Sequence, residues 1–394
     1  MGFPANVEPP GRRKAEAGMR QLYVGSYNAP VLTGDGSIYH GNGNGITHYE
    51  FDEMTGELFE RESLPEAQNA SWLAFSPDGR RLYAVNELDD YEGTKGGAVS
   101  AYAVEMDGSI HFLNRLPVMG AAPCHVDCAP EEGSPKYVYT ANYNGGSMSA
   151  IRLKADGSLE ALDLLLQHEA AERPCHTEES YPQSTEKKHP HVHSSSVYKR
   201  ILWITDLGLD TVEAYRLNEA GGLAASSPFL RFELPEGSGP RSLAFCENRI
   251  FVSCELSNEI AVLEWSGQKL TLLQKISTLP ETGDDRSDRD AKTESHVGGI
   301  QISPDGKYLY AGNRGHDSIV VFAVERDGMI PVQWAPVGGS NPRGFSLSPS
   351  GKWLLAAGQN SGSLTVMKRD EKTGMLKPER TYEAGAVVCL LFGN

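Results

Sequence analysis

One short pattern, repeated seven times, restricts what this chain can fold into more than any other feature. An apolar-aromatic run followed by small or polar residues occurs as QLYVGSYN (21–28), RLYAVNEL (81–88), YVYTANYN (137–144), ILWITDLG (201–208), RIFVSCEL (249–256), YLYAGNRG (308–315) and WLLAAGQN (353–360). Anchored on Tyr23, Tyr83, Tyr139, Trp203, Phe251, Tyr310 and Leu355, the copies stand 45 to 64 residues apart. A second alternating run closed by a turn follows, as in GAVSAYAVEMDGSI (97–110) and SIVVFAVERDGMI (318–330). Alternation with an Asp-Gly turn predicts an antiparallel hairpin, because side chains on a strand alternate between faces and glycine supplies the backbone conformation that a tight turn needs.

A repeat of roughly 40 to 60 residues holding about four short strands is the sequence sign of a propeller blade. Seven repeats therefore predict an all-β, seven-bladed β-propeller. Blades bury their faces against their neighbours, so residues 19–394 are expected to form one domain with no internal boundary, behind a disordered N-terminal arm over residues 1–18. The first copy has no inner strand before it, whereas the tail AGAVVCLLF (384–392) is an apolar run with no hairpin after it. The tail should supply the missing inner strand and remove the open sheet edge.

The formal net charge of −16 speaks against a nucleic-acid backbone as partner. No apolar run reaches membrane-spanning length, and the first 18 residues lack the apolar core of a signal peptide, so a cytoplasmic location is expected, with no membrane partner. Six cysteines are too sparse for a disulfide scaffold. Cys124, Cys128, Cys246, Cys254 and Cys389 fall in strand-like runs and should be buried reduced thiols, whereas Cys175 falls in a loop. Oligomeric state is left open.

Strand parity predicts where function sits. If each inner strand runs down the channel and the next returns, the start of the first and the end of the second share one mouth. The residue four places after each anchor is Tyr27, Glu87, Tyr143, Leu207, Glu255, Arg314 and Gln359, in a frame that otherwise hardly changes. At the starts of inner strands stand His125, His191 or His193, Arg241 and Arg343. Asp206, Asn313 and His316 flank the same ends. The insertions 28–45, 167–189 and 277–296 belong to this face, and loops on one rim of a rigid ring commonly carry binding.

The segments SWLAFSPDGRRLYAVNEL, PCHVD, PHVH, ITDLGLDTVEAY, GPRSLAF with CELSNEI, ISPDGKYLYAGNRGHDSIVVF and NPRGFSLSPSGKWLLAAGQN resemble the seven-bladed propeller lactonase family. That family contains the propeller-type 6-phosphogluconolactonases and the fungal carboxy-cis,cis-muconate cyclases. The resemblance runs from about Gln21 to the C terminus. It implies that His191 and His193, Arg241, Glu255 and Arg314 surround the substrate. Two departures from the family pattern bear on the substrate: Gly298-Gly299, where an acidic residue is common, and Ser242, where histidine often follows the arginine.

Hydrolysis of a lactone needs a base for water and donors for the oxyanion. Histidine suits the first task, and arginine suits the second while gripping a phosphate or carboxylate with its fork. The catalytic candidates are His191, His193, Glu255 and Arg241. The substrate-binding candidates are Arg314, Arg343, His125, Glu87, Tyr143, Asp206, Asn313 and His316. The expected substrate is an anionic small molecule, a phosphorylated or acidic sugar lactone, with no cofactor and no metal. The alternatives are a cyclase acting on carboxymuconate and a non-catalytic binding scaffold. The residues also admit blander roles. His316-Asp317 can cap a loop, three histidines at 189, 191 and 193 can bind zinc, and Arg241 or Arg343 can be structural ion-pair partners.

Overall fold

Every one of the seven repeats becomes a four-stranded antiparallel sheet. The computed structural model describes residues 18–33, 36–128, 136–174, 185–281 and 295–393. The predicted N-terminal arm and Cys175 thus lie outside the described residues, apart from Gly18. Inner strands are Leu73–Phe75, Pro123–Cys128, Val192–Tyr198, Pro240–Cys246, His296–Ile302 and Pro342–Leu347 in blades 2 to 7. In blade 1 that place is taken by Val387–Phe392, which pairs antiparallel with Met19–Ser26 and brings Tyr23 opposite Leu391. The ring is closed as the tail predicts.

All seven anchors are fully buried, and their repeat spacing has a packing reason. Each sits on the second strand of a blade and fills the space toward a neighbour. The hydroxyls of Tyr23, Tyr83 and Tyr310 donate to the carbonyls of Gly108, Gly157 and Gly374 at 2.6, 2.9 and 2.8 Å, and Tyr139 does the same to Gly221. Each acceptor glycine sits at positive φ in an outer turn of the next blade. The turn glycine therefore serves twice, reversing its own hairpin and turning a carbonyl inward to satisfy a buried phenol. In blades 4 and 5 the anchors Trp203 and Phe251 lie in one apolar cluster apiece with the following blade, at Ile250 and Val252 and at Leu309 and Val320.

Two extra hairpins decorate the ring. Pro30–Leu32 pairs with Ile38–His40, and Ala171–Pro174 pairs with Thr185–Lys188. The first leans on the mouth, where Val31 and Tyr39 pack with Tyr27, Ala386 and Val388. Among the described residues, no helix is long and apolar enough to cross a membrane.

Candidate active site at the propeller mouth

Backbone irregularities aim the side chains of the site. In blades 3 to 7 the inner strand starts with a break in register: pairing jumps from Pro123 to His125, Val192 to Ser194, Pro240 to Leu243, Val297 to Ile300 and Pro342 to Gly344. Such a bulge adds residues against the partner strand and redirects them. The residues passed over are Cys124, His193, Arg241 with Ser242, Gly298 with Gly299, and Arg343. Cys124, His193, Arg241 and Arg343 all line a cavity of about 560 Å³. Across from them come the ends of the second strands. Tyr27, Glu87, Tyr143, Glu255, Arg314 and Gln359 line the same cavity, six of the seven positions four residues past an anchor.

The cavity is cationic in an acidic protein. Arg241, Arg314 and Arg343 face Glu87 and Glu255, three positive against two negative groups, where the chain as a whole carries −16. Glu255 Oε2 lies 2.7 Å from Arg241 Nε and 2.8 Å from Arg314 Nη2. Burial alone would raise the Glu255 carboxyl, but Arg314 and Arg241 outweigh it and hold it well below the usual carboxylate range. Burial and the Arg314 charge lower Arg241 to about 10, which leaves it cationic at neutral pH. Arg241 Nε and Arg314 Nη2 thus meet on one carboxylate oxygen, and Glu255 holds the two guanidinium groups side by side at the cavity.

The other half of the cavity is looser. Arg343 Nη2 stands 3.8 Å from Glu87 Oε2, which already accepts the Tyr27 hydroxyl at 2.8 Å. The Arg343 guanidinium also lies 5.3 Å over the Tyr27 ring. Val31, Leu32, Ile38 and Tyr39 of the first hairpin wall this side.

His193 is buried, with Nδ1 3.8 Å from Cys124 Sγ and its ring edge-on to Tyr143 at 5.4 Å. Burial, reinforced by Arg241, pushes its imidazole well below the ordinary histidine range, while Glu255 pulls the other way. It is therefore neutral when the cavity is empty. Burial pushes the Cys124 thiol up, so it is protonated.

Several predicted residues lie outside the cavity wall. His191 does not share the His193 position, because the bulge breaks the alternation between them. Its ring stacks on Tyr143 at 4.6 Å and its Nδ1 lies 3.1 Å from the Tyr143 carbonyl. Asp206 is fully buried and accepts the backbone N–H groups of His191 and Leu209 at 2.8 and 3.0 Å, with His168 Nδ1 2.8 Å from its other oxygen. Asn313 is buried and donates to the Thr278 carbonyl at 2.7 Å. His316 Nδ1 lies 2.8 Å from Ser318 Oγ. His125 faces the channel one level below. The insertion 28–45 lies at the mouth as strand parity predicts, whereas Cys124 was not among the expected site residues. The bulge in the PCHVD segment turns Cys124, not His125, to the mouth, and alternation gives no signal of that.

Among the described residues, no three His, Cys, Asp or Glu side chains converge as metal ligands. Arginines at opposite walls, a neutral buried imidazole and a locked carboxylate form a set suited to binding an anion and moving a proton. A family model described as "Lactonase, 7-bladed beta-propeller" matches residues 21–392. The chain belongs to the seven-bladed β-propeller lactonase family. This lactonase-family chain is 29% identical to a 6-phosphogluconolactonase of Bacillus subtilis, over 86% of its own length and 92% of the relative's. It is 27% identical to a 6-phosphogluconolactonase of Formosa agariphila, over 85% and 91% of the two chains. Among solved structures, a periplasmic gluconolactonase from Pseudomonas aeruginosa superimposes on this lactonase-family fold with a TM-score of 0.77 and 28% identity, covering 95% of this chain and 99% of the other.

Proposed function

We propose that the protein hydrolyses a phosphorylated or acidic sugar lactone by metal-free acid–base chemistry in the mouth cavity. The observation that carries this reading is the convergence of Arg241, Arg314 and Arg343 with His193 and Glu255 around one cavity of about 560 Å³. Relatives named for lactone hydrolysis support it.

His193, neutral in the empty site, takes a proton from water as the water oxygen bonds to the lactone carbonyl carbon. The imidazolium that forms is favoured by the Glu255 carboxylate. Arg241, by its charge at the cavity wall, stabilises the oxyanion, and Arg314 and Arg343 hold the substrate's phosphate or carboxylate. Collapse breaks the ring C–O bond, and the proton on His193 passes to the leaving oxygen. The product is a hydroxy acid that ionises in solution. The five cysteines among the described residues are unpaired, which suits the cytoplasm as the working compartment.

The test is a parallel assay of the purified chain, with acid release followed for 6-phosphogluconolactone and gluconolactone, and ultraviolet absorbance for carboxymuconate. Acid release above the spontaneous rate, absent from a His193→Gln variant, is the expected result. Conversion of carboxymuconate alone identifies a cyclase, and turnover of none of the three leaves a binding scaffold.

A further inference from the structure

Blade 6 breaks the pattern that builds the mouth. Its bulge falls on Gly298 and Gly299, whereas the bulges of blades 3, 4, 5 and 7 present Cys124, His193, Arg241 and Arg343. Nothing in the fold demands glycine at 299. Its φ lies outside the left-handed region, and an added Cβ would meet the Arg343 carbonyl oxygen alone, at an ordinary 3.7 Å. Gly344 beside it is different, since a Cβ there would fall 2.3 Å from the Val388 carbonyl oxygen. Glycine at 344 answers a packing constraint, and glycine at 299 leaves space.

That space belongs to a second chamber of about 370 Å³ in the channel, lined by Gly299, Trp72, His125, Asp127, Phe345 and Ser346 among others. Along two strands the step from mouth to chamber is one residue, Cys124 to His125 and Arg343 to Gly344. On its far side the chamber shares Gln301 with a cavity of about 520 Å³ on the turn face of the ring.

The chemistry of the chamber is opposite to that of the mouth. Burial and the Arg241 charge push the His125 imidazole down to about 3, so it is neutral. Ser195 N–H donates to its Nδ1 at 3.4 Å, which places the ring proton on Nε2, a donor with no protein acceptor among the described residues. The Trp72 ring lies against His125 at 4.6 Å. Asp127 accepts Cys128 N–H and Val197 N–H at 2.8 and 2.9 Å, and burial raises it to about 6. At neutral pH it is a carboxylate, and it discourages an anion. Aromatic walls, one free donor and a negative neighbour suit a ligand without negative charge.

We propose that the channel chamber is a second ligand site, which takes an uncharged small ring compound bearing a hydrogen-bond acceptor. The site is distinct from the mouth, and its test uses no turnover, so it stands or falls apart from the lactonase reading. The probe is benzyl alcohol, titrated calorimetrically into the full chain at neutral pH, with inorganic phosphate as the probe of the mouth. Gly299→Leu, which adds a branched side chain to the chamber wall, should weaken benzyl alcohol binding by about tenfold or more and leave phosphate binding unchanged. Should that variant not fold, Gly299→Ala, whose Cβ fits, and His125→Phe, which keeps a ring but removes the donor, should each weaken binding about threefold. Absence of benzyl alcohol binding to the parent, equal binding by the variants that fold, or competition by phosphate overturns the proposal.

Discussion

Arg241 Nε and Glu255 Oε2 lie 2.7 Å apart, with the arginine side chain only 3% exposed. A guanidinium that water scarcely reaches is thus neutralised by one carboxylate, and that carboxylate also serves Arg314. On this side of the mouth one acidic group stands between two cations. Glu255 lets both arginines point into one cavity without expelling each other.

Replacing that group tests whether it is more than a counter-ion. Glu255→Gln should lower turnover by about 10² to 10⁴, because the imidazolium of His193 loses the charge that favours it. An ion pair without catalytic part would lower the melting temperature and leave turnover of the folded fraction intact. The stability contribution has a defined pH window. The native carboxyl is depressed, so its contribution is complete above the ordinary carboxylate range and fades as pH falls through that range toward the native value. Melting curves of parent and variant should converge in acid and separate as pH rises.

The two histidines of the PHVH segment should behave differently. His193→Gln removes the proton acceptor in the cavity and should lower kcat by about 10² to 10⁴ with little change in KM. His191→Gln should act weakly, through the seating of Tyr143. Since burial lowers the His193 pKa, the limb over which parent activity rises with pH should lie on the acid side of the ordinary histidine value. A limb above that value would exclude His193 as the base.

Arg314 and Arg343 should set affinity for the anion. Each Ala variant should weaken binding of a phosphorylated lactone or its product by roughly 1.5 to 3 kcal/mol, the scale of a charge-assisted hydrogen bond. Lysine should restore a part only, since a point charge does not reproduce the fork. Titration of the product into both variants measures this directly, and parent-like affinity in both would place the anion elsewhere.

Removing residues 384–394 strips blade 1 of the strand that pairs with Met19–Ser26. The truncated chain should melt far below the parent and aggregate through the opened edge. Equal melting temperatures and a monodisperse truncated chain would contradict ring closure as a source of stability.

Much of the architecture was legible because it is periodic. The Tyr23-to-Leu355 anchors, the hairpins after them and the unmatched tail each follow from alternation and turn chemistry, which are local. The second-strand half of the cavity was legible for the same reason, as Glu255 and Arg314 occupy one offset in the repeat. The inner-strand half was harder. A bulge shifts parity by a residue, so Arg241, His193 and Arg343 reach the mouth while His125 sits a level below and His191 stacks outside on Tyr143. Asp206 and Asn313 carry the residue types of a binding site, but both spend their polarity inside the fold, Asp206 on two backbone N–H groups and His168, and Asn313 on the Thr278 carbonyl.

The pairing of Tyr23 with Leu391 joins positions 368 residues apart in the chain, as their numbering shows. During synthesis the strand Met19–Ser26 emerges early, and its inner partner follows only after the strands of all six other blades. Blade 1 must therefore wait with an unpaired edge while the six later blades form, and no intermediate lacking Val387–Phe392 can close the ring. Contacts of such long sequence separation fold slowly and expose aggregation-prone edges on the way. The nascent chain is at its most vulnerable just before the closing strand emerges, and folding in the cell should depend more on chaperones than the melting temperature of the finished ring would suggest.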